Sequence, residues 1–176
     1  MARLLIAFAL AAASLTCAAG ETWREALPPS PALRMIGEGE YRWFGLRIYT
    51  AQLWAAQPSV TLDTPLALQL TYARNIAGQR LVDTSIDEIR RTHSSTVSDA
   101  TLARWRAALL QVLPDVRTGD RITGVYLPGE GARFYADDRA TGQIHDPALA
   151  QAFFSIWLDP ATRAPALRRQ LLGLSQ

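Results

Sequence analysis

The segment Leu66–Arg74 alternates: Leu66, Leu68, Leu70 and Tyr72 fall on one face, Gln69 and Thr71 on the other. A period of two is the mark of a half-buried strand. Directly afterwards the spacing changes. Over Gln79–Thr92 the apolar residues are Leu81, Val82, Ile86 and Ile89, which line one side of a helix. A chain that switches period in this way has to set a sheet against helices. Upstream, Arg34–Tyr41 and Trp43–Ala55 read as two consecutive strands, rich in aromatics and punctuated by Gly37, Gly39 and Gly45.

Downstream, Ser98 is placed to cap a second helix with the stripe Leu102, Trp105, Leu109 and Val112, stopped by Pro114. Gly119–Leu127 and Ala132–Ala136 read as a hairpin around Pro128–Gly131. Asp138–Gly142 reads as a turn leading to a short strand at Gln143–Ile144. Asp146-Pro147 pairs an N-cap with proline in the first turn of a helix reaching Leu158. A last helix, Pro165–Leu172, runs into Gly173. The order of strands, two helices, strands and two helices is α+β. It predicts an antiparallel sheet with a layer of helices packed on one face.

The N-terminus has a different character. Met1–Arg3 carries one charge, Leu4–Leu15 is apolar, and small residues fill Thr16–Gly20. That is a cleavable secretory signal peptide over residues 1–20, with cleavage expected after Ala18, Ala19 or Gly20. It predicts a bacterial periplasmic or secreted protein. The residues before Cys17 are Ser14, Leu15 and Thr16, which depart from a lipoprotein signal, so cleavage is preferred to a lipid anchor. Residues 21–33, with three prolines, form an irregular lead-in, and 34–176 a single domain with no further membrane span.

Composition narrows the chemistry. All 18 basic residues are arginine, which removes Schiff-base chemistry, a phosphate-loop lysine and a lysine base. Cys17, the only cysteine, leaves with the signal. His93 and His145 are the only histidines, and neither has a partner at metal-ligand spacing, so no metal is expected. Gly37-Glu38-Gly39 lacks the third glycine of a dinucleotide loop, and no G-x-S-x-G elbow occurs. No cofactor is expected. After cleavage 17 arginines face 16 acids, an interspersed balance that argues against nucleic acid. What remains is tyrosine alternating with arginine along the strands. Tyr41, Tyr49 and Tyr72 lie among Arg34, Arg42, Arg47 and Arg74, a set able to line an apolar pocket with a few fixed donors.

Several segments then resemble a known family. They are Gly45–Trp54 (GLRIYTAQLW), Leu70–Ile76 (LTYARNI), Gly119–Ile122, and Asp146-Pro147 through Phe153–Pro160 (FFSIWLDP). They are similar to the bacterial branch of the chalcone isomerase-like proteins, over about Arg34 to Gly173. The resemblance implies an open-faced β-sandwich, a sheet with helices on one side, and no cofactor. In plant chalcone isomerases a guanidinium holds a phenolate, while threonine and tyrosine hydroxyls stabilise an enolate. On this chain the threonine falls on Tyr49, the tyrosine near Leu81, its asparagine partner near Glu88, and a later helical polar residue near Ala150. The arginine falls around Gly37, with Arg34 the nearest guanidinium. Leu81 and Ala150 offer no donor, so the implied enone chemistry loses its carbonyl partners.

The family also contains non-catalytic members that hold a fatty acid by an arginine and a tyrosine. The sequence therefore points first to a binder of a small apolar ligand with an anionic or phenolic end, such as a fatty acid. Its expected site is Tyr49, Arg34, Arg47, Tyr72 and Arg74. An alternative is a cofactor-independent isomerase or lyase acting on a phenolic or enone substrate, with Tyr49 as its one catalytic candidate. A third is a scaffold whose sealed interior holds no ligand.

Overall fold

The alternating segments pair into one antiparallel sheet in the computed structural model, which describes residues 22–29, 33–93 and 96–174. The strands are β1 (Arg34–Trp43), β2 (Leu46–Ala55), β3 (Leu66–Tyr72), β4 (Arg121–Leu127), β5 (Gly131–Ala136) and β6 (Arg139–Ile144). They lie in chain order across the sheet, each hydrogen-bonded to the next. Four helices complete the fold: α1 (Gly78–His93), α2 (Asp99–Leu110), α3 (Pro147–Leu158) and α4 (Pro165–Leu171). The α+β sheet-and-helix architecture expected from the sequence is present.

Register follows from the alternation. Tyr49 pairs with Tyr72, Ala51 with Leu70, Leu53 with Leu68 and Leu66 with Tyr126, so one face carries every large apolar side chain of these pairs. The helices bury that inner face. Phe154 of α3, fully buried, sits against Tyr126 and over Gly124, where an added Cβ would come within 2.9 Å of the ring. Gly37 of β1 admits α4 still more closely, since a side chain there would meet the Gln170 and Leu171 carbonyls. Polar contacts fix the helices to one another. Asp146 caps α3 through Leu149 N with one oxygen and accepts the Trp105 indole of α2 with the other, at 2.9 Å. Arg106 of α2 binds Asp83 of α1 at 2.8 Å.

The outer face is covered by the lead-in. Trp23, Ala26 and Leu27 are buried on Ala67, Val125, Leu127 and Tyr135, with Trp54 and Leu33 alongside. Residues 22–29 of the lead-in are turn and coil in backbone, yet they act as a strap. Trp23 meets Trp54 edge-on at 5.6 Å, and the Arg24 guanidinium stacks 4.2 Å above the Trp23 ring. Among the described residues neither the Trp23 nor the Trp54 indole N–H finds a hydrogen-bond partner. Beyond the strap, Gln69 and Thr123 are buried and bonded to each other at 3.0 Å.

Two turns fall elsewhere than in the sequence reading. Trp43 closes β1, and the hairpin turn falls at Phe44-Gly45, both with positive φ (47° and 78°). Arg139–Gly142, expected within a turn, belongs to β6, and the turn is Asp137-Asp138, again with positive φ. Ser98, Asp146, Pro147 and Gly173 occupy the cap and stop positions expected of them. The proposed signal segment and Cys17 lie outside the described residues. Among the described residues no helix is long and apolar enough to cross a membrane, and no cluster of His, Cys, Asp or Glu could hold a metal.

Candidate ligand site

Tyr49 points from β2 to the inner face because it shares the parity of Ala51 and Leu53. Its ring stacks on Tyr41 of β1 at 5.1 Å with 21° between planes, and meets Tyr72 of β3 at 6.0 Å with 69° between planes. Direct cross-strand pairing of Tyr41 with Tyr49 and of Tyr49 with Tyr72 makes this row inevitable. From α3, the Trp157 indole N–H donates to the Tyr49 hydroxyl at 2.9 Å. Trp157 itself is wedged by Phe153, one turn earlier, at 5.4 Å.

This bond decides what the phenol can do. Its oxygen already accepts from Trp157, so its own proton remains to be donated. Burial pushes the Tyr49 phenol far above its ordinary pKa, only partly opposed by the Trp157 bond. Burial does the same to Tyr72, and more mildly to Tyr41. All three stay neutral donors through the physiological range. A donor polarised by an incoming hydrogen bond on its oxygen is a stronger donor.

At the border of the tyrosine row lies a charged group that sequence reasoning did not assemble. Glu88 of α1 is largely enclosed, with 16% of its side chain exposed. It binds Arg91 at 3.0 Å and Arg163, from the α3–α4 connection, at 3.2 Å. Arg91 also donates to the Ala161 carbonyl at 3.0 Å, tying α1 to that connection. The Glu88 carboxylate acts on both Tyr41 and Tyr49, holding their pKa values up, while Arg163 pulls Tyr41 down. Arg163 thus acts on the edge of a row of neutral phenols, and Arg91 shares its carboxylate.

The arginines expected at the site lie elsewhere. Arg47 binds Glu40 at 3.1 Å and is half exposed. Arg74 is exposed, with its Nε on the Arg47 carbonyl at 3.4 Å. Arg34 is exposed at the opposite end of β1. The structure therefore brings together Tyr49 and Tyr72 of the expected set, and adds Tyr41, Trp157, Glu88, Arg91 and Arg163. Gly37, onto which the resemblance set an arginine, has no space for a side chain because α4 passes against it. Ala150 is buried, and like Leu81 its side chain carries no polar atom.

Two surface cavities lie apart from Tyr49. One of about 200 Å³ runs between the strap and the β2–β3 connection, lined by Leu27, Leu33, Ala55 and Pro65 among others. One of about 400 Å³ lies between α2 and the start of α3, beside Arg104, His145 and Asp146.

Known proteins share this architecture. A family model described as chalcone isomerase-like matches residues 30–173. No curated protein sequence matches the chain. Among solved structures, the crystal structure of a fatty-acid binding protein from Arabidopsis thaliana is similar in fold at 12% identity. Its TM-score is 0.59, over 82% of this chain and 90% of that one.

Proposed function

Because the chain belongs to the chalcone isomerase-like family, we propose that it is an exported binder of a small apolar ligand with one anionic end, a fatty acid in the first instance. The observation that carries this reading is the Trp157–Tyr49 hydrogen bond, which leaves a buried, neutral phenol with its proton to give. A ligand carboxylate would accept that proton, while Arg163 and Arg91 would supply charge-assisted contacts at the border. Tyr41 and the exposed Arg163 mark the point of entry, since Tyr41 is only partly buried.

The fatty-acid binding protein of Arabidopsis, alike in fold, supports the ligand class. The apolar run Leu4–Leu15 with small residues after it supports export. A phenol held this far toward its neutral form is poorly suited to act as a base. The isomerase reading also lacks a second donor, since the side chains of Leu81 and Ala150 carry no polar atom.

Native mass spectrometry of the purified protein, followed by melting with saturated fatty acids of increasing length, tests the proposal. Long-chain acids should raise the melting temperature and appear as bound mass. Tyr49→Phe should weaken binding by at least about tenfold, the size of one hydrogen bond to a charged acceptor. A bare apoprotein whose melting no fatty acid shifts would sink the idea.

A further inference from the structure

The β1–β2 hairpin ends in a cluster of exposed apolar side chains. Trp43 is 53% exposed, Phe44 89% and Leu46 54%, clustered around a single turn. Isolated exposed hydrophobes are ordinary, but three on one projecting tip are not. Phe44 is also in a left-handed conformation, φ 47°, at a turn position that Asn or Gly normally fills. It accepts that backbone without burying its ring, which meets Trp43 edge-on at 5.0 Å. The turn is braced, since the Arg42 guanidinium donates to the Gly45 carbonyl at 3.2 Å.

Charge surrounds the tip asymmetrically. Arg42 and Arg47 both bind Glu40, at 2.7 and 3.1 Å, and Arg74 follows on the Arg47 carbonyl. Two guanidiniums thus share the Glu40 carboxylate, and a third, Arg74, lies against the backbone of Arg47, so arginines outnumber Glu40 beside the aromatic turn.

We propose that this hairpin is a membrane-docking element, seating Trp43, Phe44 and Leu46 among the lipids of a bilayer with anionic headgroups while Arg42, Arg47 and Arg74 bind its phosphates. An indole at the headgroup level with Phe and Leu beneath is the arrangement an interface favours. The tip is too small for a stable protein partner, which takes roughly 800 Å² from each side. A bilayer has no such requirement, because a few inserted side chains and a cationic collar suffice for reversible attachment. The proposal stands whether or not the Tyr49 site holds a lipid.

The test uses the full chain and vesicles of phosphatidylcholine, alone or mixed with phosphatidylglycerol. Co-sedimentation should be strong only with the mixed vesicles, and tryptophan emission should shift to the blue on binding. Phe44→Asn keeps the turn, since Asn is at home there, and should lower partitioning about tenfold, the worth of one large apolar side chain. Arg42→Gln with Arg47→Gln should abolish the preference for the anionic vesicles. Trp43→Phe should retain most binding but lose the blue shift. The proposal is overturned if Phe44→Asn binds like the parent, as attachment through Met1–Gly20 would produce. It is equally overturned if the blue shift survives in Trp43→Phe, or if the tip instead forms a dimer that Phe44→Asn dissolves.

Discussion

The two faces of the sheet bury aromatic side chains under different rules. On the inner face Trp157, Tyr49 and Tyr72 sit beneath helices, and the Trp157 indole N–H has an acceptor. On the outer face Trp23, carried by an eight-residue stretch of the lead-in, residues 22–29, packs against Trp54, and both indole N–H groups lack an acceptor among the described residues. The helices are anchored by many side chains and cannot yield singly. The strap is short and can lift without disturbing the rest. The inner face thus has cooperative stability, and the outer face local stability.

The largest effect should come from pH. Burial raises the folded-state pKa of both Tyr49 and Tyr72 above the ordinary phenol value of 10.0. Their contribution is therefore complete below about pH 10 and is lost as pH rises past it, because the unfolded chain gives up these protons first. An absorbance titration followed alongside circular dichroism should show them ionising only with global unfolding. Tyr72→Phe should move that transition to higher pH. If all five tyrosines ionise while the fold persists, the inner face is not closed as described.

Next in size is a pair of truncations at two fully buried rings. Phe154→Ala should cost about 3–5 kcal/mol in denaturant unfolding, as a ring deleted from a packed core does. Trp23→Ala should cost only about 1–2 kcal/mol, since the strap can detach locally. Hydrogen exchange should then report loss of protection confined to residues 22–29 and the strands beneath. Equal costs would show that the strap and the helices unfold as one.

A smaller contrast isolates the indole N–H. Trp157→Phe and Trp23→Phe shed the same ring volume, but the first breaks a hydrogen bond and the second removes a donor with no partner. Trp157→Phe should be the less stable by about 2 kcal/mol. A reversed order would mean that Trp23 has a satisfied donor. The smallest effect lies at neither face: in thermal unfolding, Phe44→Gly should raise stability by about 1 kcal/mol by relieving the left-handed backbone.

The inner face is largely legible in the sequence because its code is local. Alternation in β3 and the stripe of α1 each determine which side chains meet the core. Phe44 defeats that code for a physical reason: an aromatic beside a tryptophan carries strand propensity, and nothing in its chemistry announces positive φ. The β5–β6 turn escapes it similarly, since Gly142 looks like a turn residue yet sits inside β6 opposite Phe134. Tyr49 can be singled out with help from the family resemblance. Glu88, Arg91 and Arg163 cannot be grouped, because Arg163 reaches α1 from a connection with no periodicity. The strap is invisible for the same reason, its partners being scattered over β2 to β5.

The strap has a consequence for the order in which the molecule assembles. Trp23 leaves the ribosome ahead of every strand, but Val125 and Tyr135, which it covers, come from the far half of the chain. Its docking closes one of the longest loops in the fold, and loop closure of that length is slow to be rewarded. An aromatic side chain synthesised ahead of the whole sheet is therefore among the last to be seated. Until β4 and β5 have paired, the outer face remains open to whatever else is at hand.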